Sequence, residues 1–144
     1  MKGITIHQPW AWAIAAGHKR IENRTWSVSY RGPIAIHAGK SKSSIVIASE
    51  FCLDRGIEPP SREDLVFGKI IAVARLIDVV DYAPAHSLWE DANNVQSDPW
   101  AFGPKCWILD DIQPLTEPVE YKGNTTLWKV CDEAIAAIAE QIGL

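Results

Sequence analysis

The segment GHKRIENRTW, Gly17 to Trp26, gathers a lysine, two arginines, a glutamate, an asparagine, a histidine and a tryptophan within ten residues. If residues 20–26 are extended, Arg20, Glu22, Arg24 and Trp26 share one face, and Ile21 and Asn23 point the other way. That arrangement has a structural meaning, in which Glu22 bridges Arg20 or Arg24 and holds the strand in place. It also has a chemical one. A nucleobase offers a flat face and an edge of donors and acceptors. Trp26, or the nearby Trp10, can stack on the face. Glu22 and Asn23 can read the edge, because a carboxylate accepts from exocyclic amines and an amide both donates and accepts. Lys19 and Arg24 can hold phosphate or polarise a carbonyl. Gln8 adds an amide, and Arg31, His37 and Lys40 widen the electrostatic footprint. The same groups could move protons if burial shifted their pKa values, so Lys19, Glu22 and Arg24 are also candidate catalytic residues.

Charge distribution favours an anionic partner. The chain carries a formal net charge of −4, yet residues 1–42 hold seven Lys and Arg against Glu22 alone. That third is net +6 and the remainder −10. Phosphate contacts respond to local potential, not to total charge, so a basic face on an acidic body is expected. The three cysteines, Cys52, Cys106 and Cys131, include no CxxC pair, so neither a disulfide framework nor a zinc site is indicated. His7 and His37 read as satisfied strand histidines, not metal ligands. No metal and no cofactor is expected. MKGITIHQPWAW lacks the layout of a secretory signal, and no apolar run approaches the ~18 residues of a membrane span, so a cytoplasmic protein away from the membrane is expected.

The elements that must position these groups follow from periodicity. The 144 residues suggest one domain over 1–144, with ordinary hydrophobic (47%) and charged (22%) fractions. KGITIH alternates as a strand, and WAWAIAAG follows Pro9 as a helix closed by Gly17. KRIENRTW reads as extended and IAIHA as a strand. A helix runs from Ser43 or Ser44 to about Arg55. FGKIIAVARLIDVVDYA and KCWILDDIQPL are strands, with a helical turn expected between them around SLWEDA. After a turn at Tyr121–Asn124, TTLWKV is a last strand and CDEAIAAIAEQIGL an amphipathic helix. The sum is a mainly β chain with peripheral helices (α+β), mostly antiparallel and best matched by a small curved barrel. Trp10 and Trp12 cannot share a helix face, so one is expected in the core and the other at a cleft. Trp89, Trp100, Trp107 and Trp128 are expected mainly in the core, with Trp100 the first candidate to reach a pocket.

The pattern Gly17-x-Lys19-x-x-Glu22-x-Arg24 resembles the signature of the ASCH domain family, part of the PUA-like superfamily. HQPWAWAI, YRGPIAIHAGK, FGKIIAVARLIDV, WAFGPKCWILDDIQPL and KGNTTLWKV also resemble it, so the likeness runs over roughly residues 2–130. It implies a small PUA-like β-barrel, a cleft beside the motif, and recognition of RNA, single-stranded for preference, or of a nucleoside or nucleotide. Some relatives are described as ribonucleases, which implies a metal-independent nuclease as one alternative. Certain small relatives are amidohydrolases of N4-acetylcytidine that use the motif lysine and a threonine in the slot of the motif glutamate. Here Glu22 occupies that slot, and a carboxylate must form a mixed anhydride or activate water instead. Binder and hydrolase both remain open at the level of sequence, and a monomer is the favoured state.

Overall fold

The computed structural model describes residues 1–82 and 95–144; the turn expected around SLWEDA, with Trp89, Glu90 and Asp91, lies outside the described residues. Six strands form one mixed sheet: β1 (Lys2–Ile6), β2 (Ile21–Arg24), β3 (Gly32–Ala38), β4 (Lys69–Asp81), β5 (Lys105–Glu120) and β6 (Trp128–Lys129). Their order is β2-β5-β4-β3-β1-β6. Among the described residues only the β1–β3 pair is parallel; the other neighbours are antiparallel. The expected barrel does not close. Its edges are β2, of four residues, and β6, of two, and these do not pair with each other. Within the described residues each expected strand and helix has a counterpart, although the last strand, expected over TTLWKV, is confined to Trp128–Lys129.

Side-chain alternation makes the sheet two-faced. Ile4, Ile6, Ile34 and Ile36 pack with Ala11 and Ile14 of helix α1 (Trp10–Ala15), along with Leu76 and Trp107. Ala35, Val73 and Leu115 face the opposite way, onto Ala134 and Ile138 of helix α3 (Asp132–Ile142). Helix α2 (Ile45–Asp54) is pinned by Cys52 against Ala13 and Trp100. No described helix is long and apolar enough to cross a membrane.

Strand β5 runs past the point where its prolines predict an end. It contains Pro114 and Pro118, which have no N–H to give a ladder. They are tolerated because β2 pairs only with Lys105–Ile108, so the later half of β5 has a strand neighbour, β4, on one side. On the other, the Glu117 N–H donates to Gln141 Oε1 (2.9 Å) and its carbonyl accepts from Gln141 Nε2 (2.8 Å). At the far edge, Gly3 lets the Trp128 ring lie directly on β1. A Cβ there would meet three ring atoms at 2.4–2.7 Å. Trp128 in turn stacks on Tyr121 at 4.8 Å and meets His37 edge-on at 5.9 Å.

Gly3→Ala should therefore lower the unfolding free energy by about 1–3 kcal/mol through overpacking. Urea denaturation of wild type and variant at pH 7 measures it; coincident transitions would mean that the ring is free to move aside.

Candidate functional site

Three polar residues that the sequence grouped are brought into contact. Helix α1 ends at a left-handed glycine, Gly17 (φ 85°), whose N–H donates to Ile14 O; the N–H groups of His18 and Lys19 both reach Ala13 O. This tight reversal turns Lys19 inward, to 3% exposure. Its Nζ donates to Glu22 Oε1 at 2.8 Å and to the Ile21 carbonyl. Glu22 and Arg24 follow on β2, two apart and so on one face. Arg24 Nη2 lies 3.0 Å from Glu22 Oε2 and donates to the Thr5 carbonyl at 2.8 Å. Glu22 is thus a buried carboxylate clamped between two cations. Burial pushes its pKa up, but the charges of Lys19 and then Arg24, with their hydrogen bonds, outweigh burial and hold it below the usual value. The side chain stays ionised and acts as an acceptor.

The trio lines a hollow of about 380 Å³ with Trp10, His7, Ser44 and Phe102. A larger one of about 1130 Å³ adjoins it, lined by His37, Lys40, Phe67 and the stretch Glu120–Thr125. Thr5, His7 and Arg24 line both, so the two form one cleft at the carboxyl ends of the parallel strands β1 and β3.

In the larger hollow His37 is 2% exposed and fully bonded. Its Nε2–H donates to Tyr121 O (2.7 Å), so Nδ1 is the acceptor and Thr5 Oγ1 donates to it (3.1 Å). The Asn124 N–H donates to the same hydroxyl at 3.2 Å. Burial lowers the His37 pKa and the Lys40 charge adds to this, against hydrogen bonds to Tyr121 and Gly68 that raise it. His37 is a neutral strut, as a satisfied strand histidine should be.

Other candidates are placed elsewhere. Gln8 is 1% exposed; its Nε2 donates to Val66 O and its Oε1 accepts from the Trp12 N–H, so the amide caps α1 and ties it to the chain before β4. Asn23 lines the smaller hollow, but its amide is committed: Nδ2 donates to Trp100 O, and Oδ1 accepts from the N–H groups of Phe102 and Gly103. Trp26 packs edge-on against Trp107 at 4.9 Å. Trp10 reaches the cleft, while Trp100 is buried behind it, edge-on to Trp10 at 6.2 Å. Arg20 pairs with Asp110 and Arg31 with Asp78, outside the cleft. The expected single basic face is therefore divided, and only Lys19, Arg24 and Lys40 of the first third line the hollows. Sequence reading missed Thr5, Phe102 and Lys122. Lys122 lies in an irregular segment between β5 and β6, and its charge was the available signal.

The family model for the ASCH domain matches residues 4–137. The chain belongs to the ASCH domain family. It is similar to activating signal cointegrator 1 of Homo sapiens, 28% identical over 131 residues, and to the Mus musculus protein of the same name, 27% identical over the same length. Each match covers 88% of this chain and 22% of the relative, so this ASCH domain spans about a fifth of those proteins. Its fold is similar to that of an ASCH protein from Zymomonas mobilis, with a TM-score of 0.52, 16% identity, and coverage of 96% of this chain and 93% of that one. A point mutant of the same bacterial protein superposes with a TM-score of 0.54, 16% identity and 96% coverage of both chains. At that identity the likeness is one of fold. The Lys19–Glu22–Arg24 trio of this ASCH domain comprises the charged positions of the motif read from the sequence.

Removing the central charge leaves two cations uncompensated. Glu22→Gln should cost about 3–5 kcal/mol near neutral pH. Because the folded pKa of Glu22 lies below its ordinary 4.5, its stabilisation is complete above that value and fades as pH falls through the folded pKa. The gap between wild type and Glu22→Gln should thus be widest near pH 7 and narrow below pH 4.5, read from urea midpoints across pH.

Proposed function

We propose that this ASCH domain binds single-stranded RNA, the partner attributed to its family, in the cleft around Lys19, Glu22 and Arg24. The observation that carries the reading is charge. On a chain of net −4, the joined cleft presents, among the described residues, Lys19, Arg24, Lys40 and Lys122 against Glu22 and Glu120. A recess with low-dielectric walls focuses such a field on an anion. The smaller hollow supplies what a base needs. Trp10 and Phe102 are aromatic walls, and Glu22 is an ionised acceptor for an exocyclic amine, which favours adenine or cytosine over uracil.

Binding is better supported than hydrolysis by the bonding of the trio. Glu22 is held deprotonated by the two cations, which suits an acceptor and not a proton donor. Lys19 Nζ is engaged by Glu22 and the Ile21 carbonyl. His37 has a partner at each ring nitrogen. A ribonuclease or an N4-acetylcytidine amidohydrolase would have to break these bonds to free a base or a nucleophile.

Fluorescence anisotropy with an end-labelled single-stranded RNA, in EDTA, tests this. Affinity should fall steeply with salt. Lys40→Ala with Lys122→Ala, both exposed positions, should flatten the slope of log K against log salt by about 1.4, roughly 0.7 for each lost phosphate contact. Salt-independent or absent binding would sink the reading, and shortening of the labelled RNA would make the cleft a nuclease.

A further inference from the structure

Arg24 occupies the junction of the two hollows with its guanidinium already held in place. Nη2 is tied to Glu22 and to the Thr5 carbonyl. Its Nε–H, in contrast, is buried without a hydrogen-bond partner among the described residues. Buried N–H groups are nearly always paired, because an unpaired one forfeits its hydration. That nitrogen is closed off from the hollows, so what an incoming ligand meets is the rest of the guanidinium, held in place where both hollows adjoin. The charge sum agrees. Lys19, Glu22 and Arg24 together leave one positive charge uncompensated, and a singly charged anion at the junction would neutralise it.

Size and wall chemistry say what lies on either side. Sites for single drug-sized ligands run to about 300–1,000 Å³. The hollow beside Trp10, at about 380 Å³, has room for one base with its sugar, and the neighbouring 1130 Å³ has room for a further unit. Lys40 and Lys122 stand on that larger side. Gly123 closes its inner wall against Thr5 and His37, where a Cβ would lie 2.6 Å from Thr5 Oγ1. The backbone there is packed tightly against the strand ends, leaving the hollow to the lysines.

We infer that the larger hollow is a second nucleotide subsite, and that Arg24 holds the phosphodiester between it and a base beside Trp10. The minimal ligand is then a dinucleoside monophosphate, not a free nucleoside. The inference rests on the RNA reading above and adds to it a register: two adjacent nucleotides, with the bridging phosphate on the motif arginine.

Titration calorimetry on the wild-type protein separates the two. The ligands are CpC and ApA, the same dinucleosides with an uncharged methylphosphonate linkage, and cytidine and adenosine. The diesters should bind at least about tenfold tighter than the nucleosides, the increment expected of one charge-assisted hydrogen bond. The methylphosphonates should lose that gain. Arg24→Lys, which keeps a cation beside Glu22 but lacks the planar fork of donors, should lose it too. Equal affinity for diester and methylphosphonate overturns the phosphate contact of Arg24, and diesters no tighter than nucleosides overturn the second subsite, even where the labelled RNA binds. Failure of the labelled RNA itself to bind overturns the reading beneath it.

Discussion

One carboxylate, taken out of water between two cations, organises this end of the molecule. A buried ionised group is costly unless charge and hydrogen bonds replace its hydration. Glu22 obtains both from neighbours within three residues on either side. That solution constrains everything near it. Lys19 must turn inward directly after α1, which the left-handed Gly17 permits. Glu22 must sit at a set height on β2, which its register opposite Trp107 on β5 provides. Arg24 must reach across to β1, and its bond to the Thr5 carbonyl joins β2, one edge of the sheet, to a strand near the other. The cleft lies where those requirements meet.

How much of this could be read beforehand depends on how far apart the partners stand in the chain. The trio was legible because its members lie at i, i+3 and i+5, and the strand and helix periods follow from local alternation. Gln8 and Asn23 looked like ligand-reading amides because their true partners, Val66 and Trp100 to Gly103, are distant in sequence. A polar side chain announces that it needs a partner, not which one. The same holds for charge. Arg20 and Arg31 counted toward a basic face until the fold set Asp110 and Asp78 beside them, while Lys122, from the acidic remainder of the chain, came to the cleft. Barrel closure was expected from strand number and from family resemblance, but closure is decided by the edges. Strands of four and two residues have few free backbone groups with which to complete a ring.

The cleft also shows how a net acidic chain can present a basic recess. Exposed acidic groups elsewhere act through water and salt over a Debye length of about 8 Å, so their repulsion of an anion is strongly screened. Lys19 and Arg24 act from a partly dry pocket where screening is weak. What an approaching anion meets is set by the few groups that line the hollow, and the chain's overall sign says little about it.

The later half of β5 has a further consequence. A long strand with no strand neighbour on one side among the described residues is a template on which another chain can add, the first step toward sheet-to-sheet aggregation. Pro114 and Pro118 offer no donor there, and the Gln141 amide occupies both backbone groups of Glu117 much as a neighbouring peptide would. The side chain of the last helix thus stands in for the missing strand. At Glu117 the open edge has its backbone groups covered without the closure that a barrel would have supplied.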